Sequence, residues 1–201
     1  NTSTGNANNR GMDIASDVVD LRIANREVGH VQIYTTATID SPQLAIDVTE
    51  DQEVLMPKQP AFHARLNNAS GQNATSGNIH LTYGDNSVAF NIGNHYKTSG
   101  SDQFMFVAPV AGTYFFTANL RVDGFGGSYS YLSLYKINVA RNSNTLYSRD
   151  LTSVQATYKN HVVSAVMNMA VDEAAWVAFR EIGDGSVGFD SDSFFSGYLI
   201  G

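Results

Sequence analysis

The chain has 201 residues, a formal net charge of −7, and 15% charged against 11% aromatic residues. This length suits one well-packed domain with a smaller appendage, because most domains contain about 100 to 150 residues. The acidic balance argues against a nucleic-acid partner, since binding to phosphates needs clustered Lys and Arg. No apolar run approaches the roughly 20 residues that span a bilayer, so we expect no membrane insertion. The chain has no cysteine, so its stability must come from packing or oligomerisation.

The N-terminal part of the sequence divides into two segments. Residues 1–16 begin with a polar, Asn-rich stretch and are predicted to be a flexible tail. Residues 17–59 carry short alternating apolar sets, such as Val19, Leu21 and Ile23. Strands this short cannot enclose a core in one chain, so we predict an intertwined β-rich shaft, or arm, that partner chains complete. Two prolines, Pro57 and Pro60, mark its end.

Residues 60–201 contain denser alternating runs separated by turn residues, which is typical of an all-β sandwich. The region 165–175 is compatible with a helix, but its alternation favours a strand followed by a turn. We therefore predict a ten-stranded, two-sheet jelly roll. The predicted strands are 61–66, 79–83, 88–90, 104–108, 112–122, 130–139, 145–150, 161–169, 175–181 and 194–199.

Three motifs occur in order along this head. They are Pro60-Ala61-Phe62-His63-Ala64, then Ala108-Pro109 followed by Gly112-Thr113-Tyr114-Phe115-Phe116, and finally Phe194-Phe195-Ser196-Gly197-Tyr198-Leu199. Together they resemble the globular C1q/TNF-like domain. The resemblance implies a jelly-roll homotrimer that binds a ligand.

The segment before the head has no Gly-X-Y collagen period. Instead, the short strands leading into Met56-Pro57 and Pro60-Ala61-Phe62 are similar to the shaft of a bacteriophage tail fibre entering a C1q-like tip. This second resemblance implies a receptor-binding homotrimer on a virion tail fibre or other extracellular surface. Its partner would be a glycan or protein on the host cell surface. A stand-alone secreted C1q-like recognition or signalling module and a surface polysaccharide depolymerase remain alternatives.

One candidate ligand-binding loop covers residues 123–131. Glycines free its backbone, and its aromatic rings suit stacking on a sugar ring or a peptide side chain. The alternative is an ordinary connection whose two tyrosines belong to the next strand. The candidate ligand-binding residues are Asp123, Phe125, Tyr129 and Tyr131.

A second loop, residues 181–192, contains Asp184, Asp190 and Asp192. Carboxylate oxygens are the ligands that Ca²⁺ prefers, so this loop is the candidate calcium site. The spacing is not that of an EF-hand, and Asp-Gly and Asp-Ser pairs also form ordinary turns. We expect no other cofactor.

Catalytic motifs are missing from the sequence. There is no Gly-x-Ser-x-Gly elbow, no P-loop and no Ser/His/Asp arrangement with local support. We therefore do not expect an enzyme. The histidines lack the spacing of metal ligands and are predicted to be strand or packing residues; they are His30, His63, His80, His95 and His161.

Overall fold

The computed structural model describes residues 12–16, 21–25, 29–35, 43–66, 78–154, 156–183 and 187–201. Contacts within the chain divide it into two compact units, residues 1–58 and 59–201. This division lies one residue before the predicted end of the arm. Among the described residues there is no helix, and hence none long and apolar enough to cross a membrane.

The first unit contains two small antiparallel sheets in its described part. β1 (Met12–Ser16) pairs with β2 (Leu21–Asn25). β3 (Val31–Thr35), β4 (Gln43–Val48) and β5 (Val54–Leu55) form the other sheet. The prediction of a flexible tail over residues 1–16 was wrong for residues 12–16, which form strand β1. Its backbone finds its hydrogen-bond partner in β2, and such pairing is not visible in the local composition.

The second unit forms the head and has eleven strands among its described residues. They are β6 (Ala61–Leu66), β7 (Ile79–His80), β8 (Tyr83–Ile92), β9 (Phe106–Val107), β10 (Gly112–Phe125), β11 (Tyr129–Ile137), β12 (Asn144–Thr152), β13 (Ala156–Met169), β14 (Ala174–Ile182), β15 (Gly188–Phe189) and β16 (Phe194–Leu199). All ten predicted strands overlap these elements. The sequence missed β15, because two residues are too few to show an alternation.

The strands of the head form two antiparallel sheets. In the first sheet the order is β13-β10-β16-β6-β8, with β15 beside β10. In the second sheet the order is β12-β11-β14-β7, with β9 beside β14. The predicted all-β, two-sheet jelly roll is therefore confirmed. The connection from β10 to β11 passes from one sheet to the other, so the candidate ligand-binding loop lies at an end of the sandwich.

Alternation along each strand separates the core from the outward faces. In β10, Tyr114, Phe116 and Leu120 are fully buried, whereas Phe115 between them is only partly buried. This is the two-residue period of a strand whose one face is packed. Leu132 of the second sheet is likewise fully buried, in the same hydrophobic cluster. The core therefore lies between the two sheets.

The Phe62 ring makes several contacts in this core. Its centroid lies 4.5 Å from that of Tyr96, 4.9 Å from Phe195, 5.3 Å from Phe106 and 6.4 Å from Phe116. The pairs include stacked and edge-on arrangements, which are the preferred geometries of aromatic rings. The head motifs identified in the sequence thus meet in one aromatic cluster.

Gly197 fits between large side chains of neighbouring strands. It pairs with Phe116 on one side and with Phe62 on the other. A methyl group at position 197 would collide with the Phe116 ring and lie 3.0 Å from the carbonyl oxygen of Phe115. Close packing of the ring on the backbone therefore requires glycine at this point of the Phe-Ser-Gly motif.

Candidate functional site

Arg121 is the centre of a charged cluster at one end of the first sheet. Its Nε donates to Asp123 Oδ1 at 3.1 Å, and its Nη1 lies 3.3 Å from Asp190 Oδ2 and 3.7 Å from Asp192 Oδ2. The backbone fixes this arrangement, because Asp190 N donates to the Arg121 carbonyl and Arg121 N donates to Ser193 Oγ. The cluster thus joins residues from the two loops that the sequence identified separately.

A cavity of about 460 Å³ opens beside this cluster. Its volume lies within the range of small-molecule pockets, about 300 to 1,000 Å³. The exposed ring of Tyr158 covers part of the Arg121 guanidinium, whose Cζ is 4.8 Å from the ring centroid. The cavity therefore offers amide, hydroxyl and charged groups to a polar ligand. Its lining residues are Asn119, Arg121, Tyr158, Lys159, Asn160 and Asp192.

The candidate calcium loop is described only in part. Asp184 lies outside the described residues, whereas Asp190 and Asp192 face Arg121. Within the described ranges no three His, Cys, Asp or Glu side chains form a group suited to a metal ion. The guanidinium already supplies a positive charge beside these two carboxylates. Calcium binding by the loop stays a prediction.

The candidate ligand-binding residues occupy different environments. Asp123 belongs to the Arg121 cluster, and Tyr129 is partly exposed at the start of β11. Phe125 is only 2% exposed and lies in the core, which corrects its prediction as a stacking surface. The reason is that β10 continues through the predicted loop, and its alternation points Phe125 inward.

Tyr131 lies on the outward face of the second sheet. It is only 7% exposed, because neighbouring side chains cover it. The Cζ atom of Arg149 sits 4.2 Å from its ring centroid. Arg149 is held in place by two hydrogen bonds, from Nε to Ser133 Oγ at 2.9 Å and from Nη2 to the Tyr135 hydroxyl at 3.1 Å.

Aromatic rings continue across this face. Tyr135 stacks on Trp176 with centroids 5.1 Å apart, and His80 meets Trp176 edge-on at 4.9 Å. The Trp176 indole donates to Asn144 Oδ1 at 3.0 Å. The sequence analysis did not single out this surface. Alternate residues of β11 share a face, but the rings and arginine that complete it come from β12 and β14, far away in the sequence.

Arg180 lies on the same face, opposite Tyr131 in the pairing of β11 with β14. Its Nε is buried and has no hydrogen-bond partner among the described residues. In that part of the chain neither Arg180 nor Arg149 forms an ion pair. We call this surface the arginine–aromatic face and define it by Tyr129, Tyr131, Tyr135, Arg149, Trp176 and Arg180.

Ser130, His161 and Asp150 form a hydrogen-bonded line that the sequence analysis did not find. The Ser130 Oγ is 2.9 Å from His161 Nε2, and His161 Nδ1 is 3.2 Å from Asp150 Oδ2. These are the residue types of a hydrolytic triad. Ser130 and His161 are fully buried, however, so no acyl group reaches the serine oxygen. The line instead links β11 and β12 of the second sheet to β13 of the first.

We expect acid to destabilise the protein through His161. Burial lowers the pKa of His161 below its ordinary value of 6.5, and the Asp150 carboxylate offsets this only in part. The unfolded state therefore binds a proton more readily than the folded state. The contribution of His161 to stability is fully present above its unfolded pKa and is lost as the pH falls below about 6.5.

Urea unfolding at about pH 7.5 and about pH 5.5 tests this expectation. The unsubstituted protein, or parent, should lose more stability between these pH values than the His161→Gln variant. The glutamine side chain is neutral and still offers a hydrogen bond to Ser130 Oγ. Comparing the two proteins over one pH interval cancels the contribution of the other titrating groups. An equal loss in both would show that His161 does not carry the effect.

Comparison with known proteins identifies the head. The C1q domain family model matches residues 61–200. The globular domain of zebrafish complement 1qA protein is similar, with a TM-score of 0.51 and 16% identity over 71% of this chain and 98% of that one. Murine APRIL at pH 8.5 has a TM-score of 0.54 and 10% identity, over 71% of this chain and all of that one. Such identities show a shared fold.

None of the curated proteins matches this chain. C1q/TNF domains are typically trimeric, extracellular and generally non-enzymatic recognition modules. The family match covers the whole two-sheet head, including the motifs that meet in its aromatic core. The chain belongs to the C1q domain family.

Proposed function

We propose that this protein is the trimeric tip of a fibre, which binds a glycan or protein on a host cell surface and so attaches a phage or other virion. The proposal rests above all on the outward face of the first sheet. One row of register partners crosses five of the six strands of that sheet, β13-β10-β16-β6-β8, through Val166, Phe115, Tyr198, Ala61 and Ile92. Val166 is 57% exposed and Tyr198 is 50% exposed in the single chain.

A second set of rings extends this apolar face. His63 stacks with Phe90 at 6.2 Å and with Phe194 at 5.3 Å, and Phe90 is half-exposed. His63 Nδ1 also lies 2.6 Å from Ser196 Oγ. These residues occupy β6, β8 and β16, so the apolar surface continues over the middle of the sheet.

An antiparallel sheet that faces water on one side normally carries polar residues there. A contiguous apolar surface instead marks an interaction site. Burying it is favourable by about 25 cal/mol per Å² of apolar area. Three copies arranged around an axis would cover the face in each chain and close the assembly. This supports a trimer built on the first sheet, and it leaves the second sheet open for recognition.

The arm supports the fibre assignment. Large apolar side chains of its described residues are exposed in the single chain, and their own unit does not cover them; they are Ile33, Tyr34, Val54, Leu55 and Met56. Neighbouring arms would cover these residues if three chains wrap around one axis. A trimer also multiplies weak receptor contacts, since linked sites raise the effective concentration. Candidate contacts in the head are the partly exposed Tyr129 and the cavity beside Arg121 and Asp123, which lies at the end of the first sheet, beyond the apolar row.

Sedimentation of the full chain tests the proposal. We expect a native mass three times the 21.8 kDa of one chain at micromolar concentration. Deleting residues 1–56 separates the fibre tip from a stand-alone C1q-like module, in which the arm is only a linker. The fibre tip should lose thermal stability, whereas the stand-alone module should keep its thermal stability and remain a trimer. A monomeric full chain would refute the trimer, and a trimer that binds no cell surface would refute the attachment role.

A further inference from the structure

We propose that the arginine–aromatic face of the second sheet binds a saccharide that bears carboxylates. This inference rests on the proposed recognition function and names the chemical class of its ligand. The face combines partly exposed rings with two arginines, in a chain of net charge −7 that has only 12 basic residues. The arginine–aromatic face is therefore positively charged, whereas the molecule as a whole is negatively charged.

Arg149 is held ready to bind an anion. A guanidinium has five N–H donors, and Arg149 uses one on Ser133 and one on Tyr135. The three remaining donors can form the paired hydrogen bonds with which arginine binds a carboxylate. Its side chain is exposed, while the Tyr131 ring supports it from below. Little conformational freedom is therefore lost when an anion binds.

Arg180 supplies the second positive charge. Its buried Nε lacks a hydrogen-bond partner among the described residues, and such a group destabilises a fold that gains nothing from it. Arg180 and Arg149 flank Tyr131, the first across the pairing with β14 and the second by stacking on the ring. The exposed Arg149 and the partly exposed Arg180 would each pair with a carboxylate of the ligand.

The aromatic rings favour a saccharide over an acidic peptide. Tyr135 and Trp176 are nearly parallel, with 21° between their planes, and both are partly exposed. Tyr129 and Tyr131 are also close to parallel, at 13°. The exposed parts of Tyr129, Tyr135 and Trp176 can contact the apolar faces of sugar rings. These rings lie on the open face of a sheet, whereas an extended peptide would add to a sheet edge.

An oligosaccharide array tests the assignment when each acidic sugar is printed beside its carboxyl-reduced counterpart. We expect the full-length protein to bind acidic members at least tenfold more tightly than their reduced counterparts. Arg149→Gln and Arg180→Met should each weaken this binding at least tenfold. Arg149→Lys keeps the positive charge but loses the planar guanidinium that forms paired hydrogen bonds. Its affinity should therefore fall between those of the parent and Arg149→Gln. Lys58→Gln removes an exposed positive charge that lies outside the second sheet and is the control; it should bind as the parent does.

Thermal unfolding separates binding from a structural role of Arg180. Because Arg180 Nε makes no hydrogen bond within the described residues, Arg180→Met should unfold at the same temperature as the parent or higher. A lower melting temperature together with unchanged sugar binding would show that Arg180 serves the fold alone. That result would overturn the assignment.

Three other outcomes would also overturn it. They are equal binding of acidic and reduced sugars, binding of a poly-glutamate peptide but of no sugar, and binding of acidic sugars that survives both arginine substitutions. Binding of labelled protein to intact bacterial cells distinguishes failure of the saccharide assignment from failure of the proposed function. If cells bind the parent and both variants equally, the recognition function stands and this face is not its site. If a trimeric parent binds neither cells nor sugars, the proposed function itself fails.

Discussion

Val166→Asp is expected to reduce the native mass from three chains to one. Val166 is 57% exposed in the single chain, so the substitution should leave each head folded. In the proposed trimer it would place a charge in the apolar row that includes Phe115 and Tyr198. An unpaired charge buried in an interface costs several kcal/mol. Sedimentation at micromolar concentration measures the mass, and circular dichroism checks that the strands persist.

Val139→Asp is the matched control for this experiment. Val139 is also an exposed valine, at 56%, but it follows β11 of the second sheet. The Val139→Asp variant should therefore stay trimeric. If Val166→Asp remains a trimer of parent stability, the outward face of the first sheet is not the interface, and the trimer must form through another surface.

Phe62→Ala is expected to destabilise the head by about 3 to 5 kcal/mol, the usual effect of removing a large buried ring. Phe62 is 1% exposed and contacts rings of both sheets, including Phe106 of β9 and Phe195 of β16. The cavity left behind has rigid aromatic walls and cannot collapse fully. Urea unfolding of the full chain at one fixed protein concentration measures the loss.

Two substitutions make this result specific. Phe62→Leu retains apolar volume and should cost clearly less than Phe62→Ala. Val139→Ala shortens an exposed side chain and should change stability by about 0.5 kcal/mol or less. An effect of Phe62→Ala as small as that of Val139→Ala would mean that the aromatic cluster does not hold the two sheets together.

Most strands of the head could be predicted because their signal is local. In β10, polar and apolar residues alternate over residues 117–123, and β13 and β16 contain dense apolar residues that are typical of a strand. The short strands were harder to find. β15 has two residues, and β1 has only five, directly after the polar stretch at the start of the sequence. Both are strands because a distant or adjacent partner supplies backbone hydrogen bonds.

The candidate sites were predictable only in part. The sequence identified Asp123, Asp190 and Asp192 as polar residues of two loops, but it did not associate either loop with Arg121. Their meeting depends on the pairing of β10 with β15, which joins residues more than 60 positions apart. Phe125 was misplaced for a related reason, since β10 extends further than its local turn residues indicate.

The sequence by itself determined the fold class and the family motifs, because alternation and glycine placement are local properties. Only the tertiary structure decided which surfaces those strands expose. It combined Val166, Phe115 and Tyr198 into one apolar row, and it placed Arg149 and Arg180 on either side of Tyr131. The physical reason is register: side chains from distant strands share a face only after backbone pairing has fixed which residue lies opposite which.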